Sequence, residues 1–176
     1  HQFDIKMADL NWGNPKVVEE IQDVLRFWLD MGVDGFRLDV INFLTTEGIT
    51  LDNPTNEKGE QEHLNDINQK GDKIEVLKQY QGTELLDVIF NFNFGSISEF
   101  SAQRIFDELQ SMEKNMSNYP TLFFGSHDMP RLINRLAKNN PERAVTLAAL
   151  MLTAKGVPFI YYGEVIGMEN IAANSL

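Results

Sequence analysis

The sequence predicts an α/β fold in which parallel strands are flanked by helices, and three observations support this. Apolar residues three and four positions apart follow Asn14-Pro15, which is typical of an amphipathic helix. The stretch 32–42 (GVDGFRLDVIN) then has the turn residues and alternation of a buried strand. Further apolar runs alternate with helical patterns to the end of the chain, and this order is typical of a parallel sheet.

The first helix has clear sequence signals at both ends. Asn14 is a good capping residue, Pro15 suits the first helical position, and Gly32 ends the helix. The residues between them predict one apolar face, formed by Val18, Ile21, Leu25 and Trp28.

The stretch 32–42 sets two opposite charges into an apolar run. In a strand, Arg37 and Asp39 lie on the same face, because successive side chains point to opposite sides. A carboxylate at a strand end, kept ionised by a neighbouring guanidinium, is a natural nucleophile. A purely structural ion pair explains the same two residues, and the stretch by itself does not distinguish these readings.

Residues 44–73 form a long polar segment with little periodicity. Such a segment is uncommon inside a compact domain, and we expect a functional or mobile loop. His63 lies in it, and we expect this side chain to be exposed to solvent. A short helix is predicted over 74–80.

The rest of the chain predicts three more strands and three helices. The strands are 85–92, 121–125 and 157–162, each an apolar run of the kind buried in parallel sheets. Ser98 is the predicted cap of a helix that places Ile105, Leu109 and Met112 on one face. Two further helices are predicted over 132–138 and 141–155, with Gly156 closing the second.

Composition limits the classes of partner. The chain has 176 residues and a net charge of −11, so we expect one domain over 1–176 that binds neither nucleic acid nor anionic membranes. It has no cysteine, so disulfides and thiolate metal sites are excluded. It begins at His1 without an initiator Met, a signal peptide or a membrane-spanning run, and we expect a cytoplasmic protein.

Reactive side chains follow the predicted strands. They are Arg37 and Asp39, His127 and Asp128, and Glu164. Carboxylates grouped at the carboxyl ends of parallel strands favour glycoside hydrolysis, with Tyr161, Tyr162 and Phe124 available to line a sugar subsite. A metal site formed by His127, Asp128 and Glu164 is an alternative. The contiguous run 126–128 (SHD) does not readily adopt the geometry of a serine triad.

Four motifs, in order, resemble the α-amylase superfamily, glycoside hydrolase family 13. The stretch 34–42 resembles its fourth-strand motif, and 127–131 (HDMPR) its motif after the seventh strand. The stretches 9–15 (DLNWGNP) and 157–168 (VPFIYYGEVIGM) resemble the oligo-1,6-glucosidase branch. The resemblance implies a partial (β/α)8 TIM barrel, corresponding to the second half of the catalytic barrel.

The resemblance also implies roles for individual residues. Asp39 would be the nucleophile of a retaining mechanism, and Arg37 would orient it. Asp128 would stabilise the transition state with the help of His127, and Arg131 would line the glucose subsite. Val40 would favour α-1,6 linkages in small α-glucosides or oligosaccharides, and no cofactor is implied.

The chain departs from the family pattern in ways that bear on activity. The fifth strand, whose glutamate is the family's general acid/base, has no counterpart here, and neither Glu75 nor Glu84 lies in that motif. Ser126 stands where the family usually has Asn. A partial barrel would need a missing half or self-association to cover its open edges. The alternatives to an α-glucosidase are therefore an inactive sugar-binding barrel fragment and a transglucosylase or sucrose isomerase of the family.

Overall fold

The computed structural model describes residues 6–41, 44, 55, 57–59, 74–116 and 118–171. Most of the predicted polar segment 44–73, including His63, lies outside these residues. The chain divides into two compact units, His1–Gly71 and Asp72–Leu176, and each is described by itself.

The first unit contains helix α1, Pro15–Asp30, as predicted from its end signals. The Asn14 side chain accepts a hydrogen bond from the backbone N–H of Lys16 (3.1 Å), and Gly32 adopts a positive φ of 96° after the helix. The amphipathic pattern is present, but no residue of α1 is buried. The helical spacing of apolar residues thus predicts the helix correctly, but the apolar face of α1 is not buried.

The prediction of a buried strand within 32–42 is wrong for the residues that the structure describes there. Residues 33–39 are irregular, and Phe36 and Leu38 are 43% and 46% exposed. A strand is stabilised by neighbouring strands that pair with its backbone and cover its face. No strand in the described part of the first unit supplies that pairing.

The second unit contains the helices and strands that form the core. Its short helices are α2 (Ile74–Leu77), α3 (Phe92–Gly95) and α5 (Leu132–Arg135). Its long helices are α4 (Ala102–Asn115) and α6 (Pro141–Thr153). Strands β1 (Thr121–Leu122) and β2 (Val157–Pro158) pair in parallel, with Thr121 opposite Val157. The α/β class and the parallel pairing are therefore confirmed for this unit.

The predicted strand 85–92 is also wrong. Leu85 and Val88 are exposed, and Phe92 begins α3. This segment still lies beside β1, but the Thr121 hydroxyl makes the connection. Its Oγ1 donates to the Ile89 carbonyl (2.8 Å) and accepts from the Asn91 N–H (3.0 Å). The Thr121 side chain thus connects β1 to residues 89–91, where a regular sheet would have hydrogen bonds between the two backbones.

The hydrophobic core formed by the described residues lies within the second unit. It contains residues from α4, β1, α5 and α6, with Ile105, Met112, Leu122, Leu136 and Leu147 among its members. The predicted face of α4 is confirmed, but its cap is Ser101 rather than Ser98. In the described ranges, no helix is long and apolar enough to cross a membrane.

Candidate active site

Arg37 and Asp39 form an ion pair in the first unit. Nη1 of Arg37 contacts Oδ1 of Asp39, although both side chains are more than half exposed. The predicted pairing of the two charges is thus present without the predicted burial. The Asp39 carboxylate is therefore accessible from solvent and lies beside a guanidinium.

Val40, directly after Asp39, has an unusual backbone conformation. Its φ is +50°, a left-handed value that β-branched residues rarely adopt. Such strain costs on the order of 1–3 kcal/mol and is found preferentially at functional sites. Val40 is also the residue that the family resemblance predicts to favour α-1,6 linkages.

His127 and Asp128 follow β1 in the second unit. Nε2 of His127 lies 3.2 Å from Oδ2 of Asp128, and both side chains are about two-thirds exposed. The Asp128 backbone N–H donates to the Ser126 hydroxyl (3.2 Å), so the residue that replaces the family's Asn shapes this turn. Phe124, by contrast, is fully buried in the core, and its predicted place in a sugar subsite is wrong.

Arg131 stabilises the turn that follows β2. Its guanidinium lies over the rings of Tyr161 and Tyr162, 4.9 and 4.2 Å from their centroids. Nη1 donates to the Tyr162 carbonyl, and Nη2 lies 3.0 Å from the sulfur of Met168. The side chain predicted to line a glucose subsite therefore also holds the two tyrosines predicted to line it.

Glu164 is a half-buried carboxylate in the same turn. Oε2 accepts a hydrogen bond from the Tyr161 N–H (3.0 Å), whereas Oε1 is buried without a partner. Burial raises the pKa of this carboxyl above its ordinary value of 4.5, although the Tyr161 N–H, Arg131 and Arg135 oppose the shift.

Sequence reasoning missed Arg135, at the end of α5. Its guanidinium donates to three backbone carbonyls, those of Gly95 (2.9 Å), Phe124 (2.6 Å) and Ile97. Burial lowers its pKa, because the charged form loses water. No sequence signal marks this residue, since its acceptors are backbone atoms of segments far away in the chain.

The site residues thus fall into two groups. The first unit contains Arg37 and Asp39, and the second contains His127, Asp128 and Arg131. Across the part of the chain that the structure describes, no three His, Asp or Glu side chains are grouped closely enough to hold a metal ion. Glu84 is an exposed turn residue outside both groups.

Comparison with known proteins now decides the family. The sequence matches the α-amylase catalytic domain in two segments, 1–88 and 72–175, which together cover nearly the whole chain. The chain belongs to the α-amylase catalytic-domain family. The two matched segments overlap within 72–88, so the break in the family pattern falls there.

Several characterised proteins are similar to the whole of this chain. An oligo-1,6-glucosidase of Bacillus cereus is 29% identical over 100% of the chain and 39% of its own length. An α-glucosidase of Schizosaccharomyces pombe is 28% identical over 97% of the chain and 38% of its own length. The amino acid transporter heavy chain of Homo sapiens is 29% identical over 100% of the chain and 32% of its own length.

The chain spans less than two-fifths of the length of these relatives. The match to the Bacillus cereus protein extends over 220 positions, whereas this chain has 176 residues. At least 44 of those positions therefore have no residue here. The missing positions are consistent with the predicted absence of the family strand that carries the acid/base glutamate.

Proposed function

We propose that this chain carries the nucleophile and sugar-binding portion of a retaining α-glucosidase of the α-amylase family. The substrate is a small α-glucoside or oligosaccharide with a terminal glucose, and α-1,6 linkages are preferred. The proposed fold is the family's (β/α)8 barrel, of which residues 1–176 are a part. The observation that carries the proposal is the exposed Arg37–Asp39 pair, in a chain that matches the family almost throughout.

Each site residue has a defined role in this mechanism. The Asp39 carboxylate attacks the anomeric carbon, the bond to the leaving oxygen breaks, and a β-glucosyl ester forms. Water then cleaves the ester, so the α configuration is retained. Arg37, which contacts the Asp39 carboxylate, orients it. Asp128, with His127, binds sugar hydroxyls and stabilises the positive charge of the transition state, and Arg131 supports the tyrosines beside the glucose.

The leaving oxygen must also receive a proton. The family's acid/base glutamate has no counterpart in the sequence, and losing a general acid costs about 10²–10⁴-fold in rate. Natural glycosides have poor leaving groups and need that proton most. We therefore expect this chain to act much faster on activated aryl α-glucosides than on isomaltose.

A second candidate function is sugar binding without turnover. The gap of at least 44 positions and the missing acid/base favour it. The human relative is named as a transporter chain rather than as a hydrolase, so similarity at this level extends to proteins with other names. In this case Asp128, His127 and Arg131 bind the sugar, and Asp39 forms no ester.

The decisive experiment uses para-nitrophenyl α-glucoside, whose leaving group needs little protonation. The hydrolase proposal predicts a burst of nitrophenolate and one glucosyl group attached to Asp39, detected by peptide mass spectrometry after acid quenching. Asp39→Asn should abolish both signals. Asp34→Asn, a matched change five positions upstream, should leave them intact.

The outcomes separate the two candidates. Isomaltose binding without a burst, lost in Asp128→Ala, supports the binding function and contradicts the hydrolase. A burst that survives Asp39→Asn assigns the nucleophile to another residue. Failure of the unmutated chain to bind or cleave either glucoside contradicts both candidates.

A further inference from the structure

Arg135 connects α5 to two other segments of the second unit, one around residues 95–97 and one at Phe124. Its guanidinium donates to Gly95 at the end of α3, to Ile97 just beyond it, and to Phe124 just after β1. The side chain is half buried, and its Nε has no partner. A guanidinium that donates to several backbone carbonyls restrains the positions of those carbonyls.

Glu164 lies against the next residue of the same segment. A methyl group added to Gly125 would collide with Oε1 of Glu164 and come within 3.4 Å of the Tyr161 side chain. Glu164 is itself held by the Tyr161 N–H (3.0 Å). Arg135 therefore binds the Phe124 carbonyl, and Glu164 packs against the Cα of Gly125.

Only one residue separates this segment from the predicted catalytic turn. Gly125 is followed by Ser126, whose hydroxyl accepts from the Asp128 N–H (3.2 Å) and whose carbonyl lies 3.4 Å from the Met129 nitrogen. Asp128 is exposed, and its carboxylate lies 3.2 Å from Nε2 of His127. The position of its carboxylate thus depends on where the backbone at 124–126 is held.

We propose that Arg135 is a positioning residue that sets the location of Asp128 by binding the Phe124 carbonyl while Glu164 confines Gly125. Arg135 does not touch the sugar; it acts through the backbone. The consequence for ligand binding rests on the proposed function, whereas the consequence for the geometry of the turn does not.

The test combines backbone NMR with sugar binding in the full chain. Arg135→Lys keeps the charge but loses the fork that reaches several carbonyls at once. We expect the amide resonances of Ser126 and Asp128 to shift and isomaltose affinity to fall about tenfold, the value of one charge-assisted hydrogen bond. Gly125→Ala, which pushes the segment away from Glu164, should move the same amides even if Arg135→Lys does not fold.

Two control variants distinguish positioning from general destabilisation. Arg104→Lys makes the same chemical change at an exposed position of α4, and Leu147→Ala weakens the core from α6 without removing a hydrogen bond of Arg135. Neither should shift the Asp128 amide in the folded protein. Unchanged Ser126 and Asp128 amides in folded Arg135→Lys, or equal shifts in Leu147→Ala, overturn the proposal. If the unmutated chain neither binds nor cleaves either glucoside, the proposed function fails, and the amide shifts still decide the role of Arg135.

Discussion

Glu164 shows how a single carboxyl group can couple the candidate site to pH. Its Oε1 is buried without a partner, and burial raises its pKa above 4.5. The protonated form is therefore favoured by folding. This preference stabilises the folded chain fully when the pH is below the ordinary pKa of the carboxyl group. The stabilisation is lost as the pH rises through the higher pKa of the folded state.

This linkage predicts the effect of Glu164→Gln. Glutamine keeps an oxygen that can accept from the Tyr161 N–H but never ionises. We expect the variant to be more stable than the unmutated chain at neutral pH, with the difference vanishing as the pH falls below 4.5. Urea unfolding at a series of pH values measures it. Glu99→Gln, at an exposed position, should show no such trend, and a trend of opposite sign would mean that Arg131 and Arg135 outweigh burial.

At the residue scale, sequence and structure contributed different information. The Arg37–Asp39 pair could be predicted because its members are two residues apart, so local geometry brings them together. Arg135 could not, because its three acceptors belong to residues 95, 97 and 124. Which distant carbonyls surround a guanidinium is decided by tertiary packing and has no local pattern.

Among the features of secondary structure, the starts of helices were the most predictable. Asn14-Pro15 and Asn140-Pro141 start helices where expected, because a capping side chain and a proline act on their own backbone. At α4 two serines compete for the same role. Ser101 caps the helix by accepting from the Arg104 N–H (3.3 Å), and the helix therefore starts three residues later than Ser98 predicts.

The two serines provide a matched pair of variants. Ser101→Ala should lower the free energy of unfolding by about 1 kcal/mol, because the N–H of Arg104 loses its acceptor. Ser98→Ala should change it by no more than about 0.5 kcal/mol, as expected for an exposed residue outside the helix. Chemical denaturation of both variants makes the comparison. Equal losses would mean that the helix begins near Ser98 in solution.

Strands were less predictable than helices. The apolar runs within 32–42 and at 85–92 have strand-like composition, yet among the described residues only 121–122 and 157–158 pair as strands, and Leu86 makes an isolated bridge to Gln81. A helix satisfies its own backbone, whereas a strand depends on a neighbour to do so. The runs without such a neighbour among the described residues remain irregular.

For the whole molecule, burial is distributed unevenly. The described core belongs to the second unit, and α1 in the first unit has no buried residue. Two leucines illustrate the contrast, since Leu147 is 1% exposed and Leu29 is 49% exposed. Stability should therefore depend far more on the second unit than on α1.

The same substitution at both leucines tests this distribution. Leu147→Ala should cost about 2–5 kcal/mol, because it leaves a cavity in the core. Leu29→Ala should change stability by no more than about 0.5 kcal/mol, because its side chain is already in water. Denaturant unfolding measures both effects. A large loss in Leu29→Ala would show that the apolar face of α1 is covered in solution, by another copy or by another polypeptide.

The sequence by itself determined the helix starts, the local pairing of Arg37 with Asp39, and the ordered motifs that the family match then confirmed. Each depends on residues close together in the chain. Only the tertiary structure decided which apolar faces are buried, which strands pair, and that Arg135 and Glu164 hold the segment leading to Asp128. Those outcomes depend on groups from distant parts of the chain. A side chain is buried, and a long-range hydrogen bond forms, only when the fold brings those groups together.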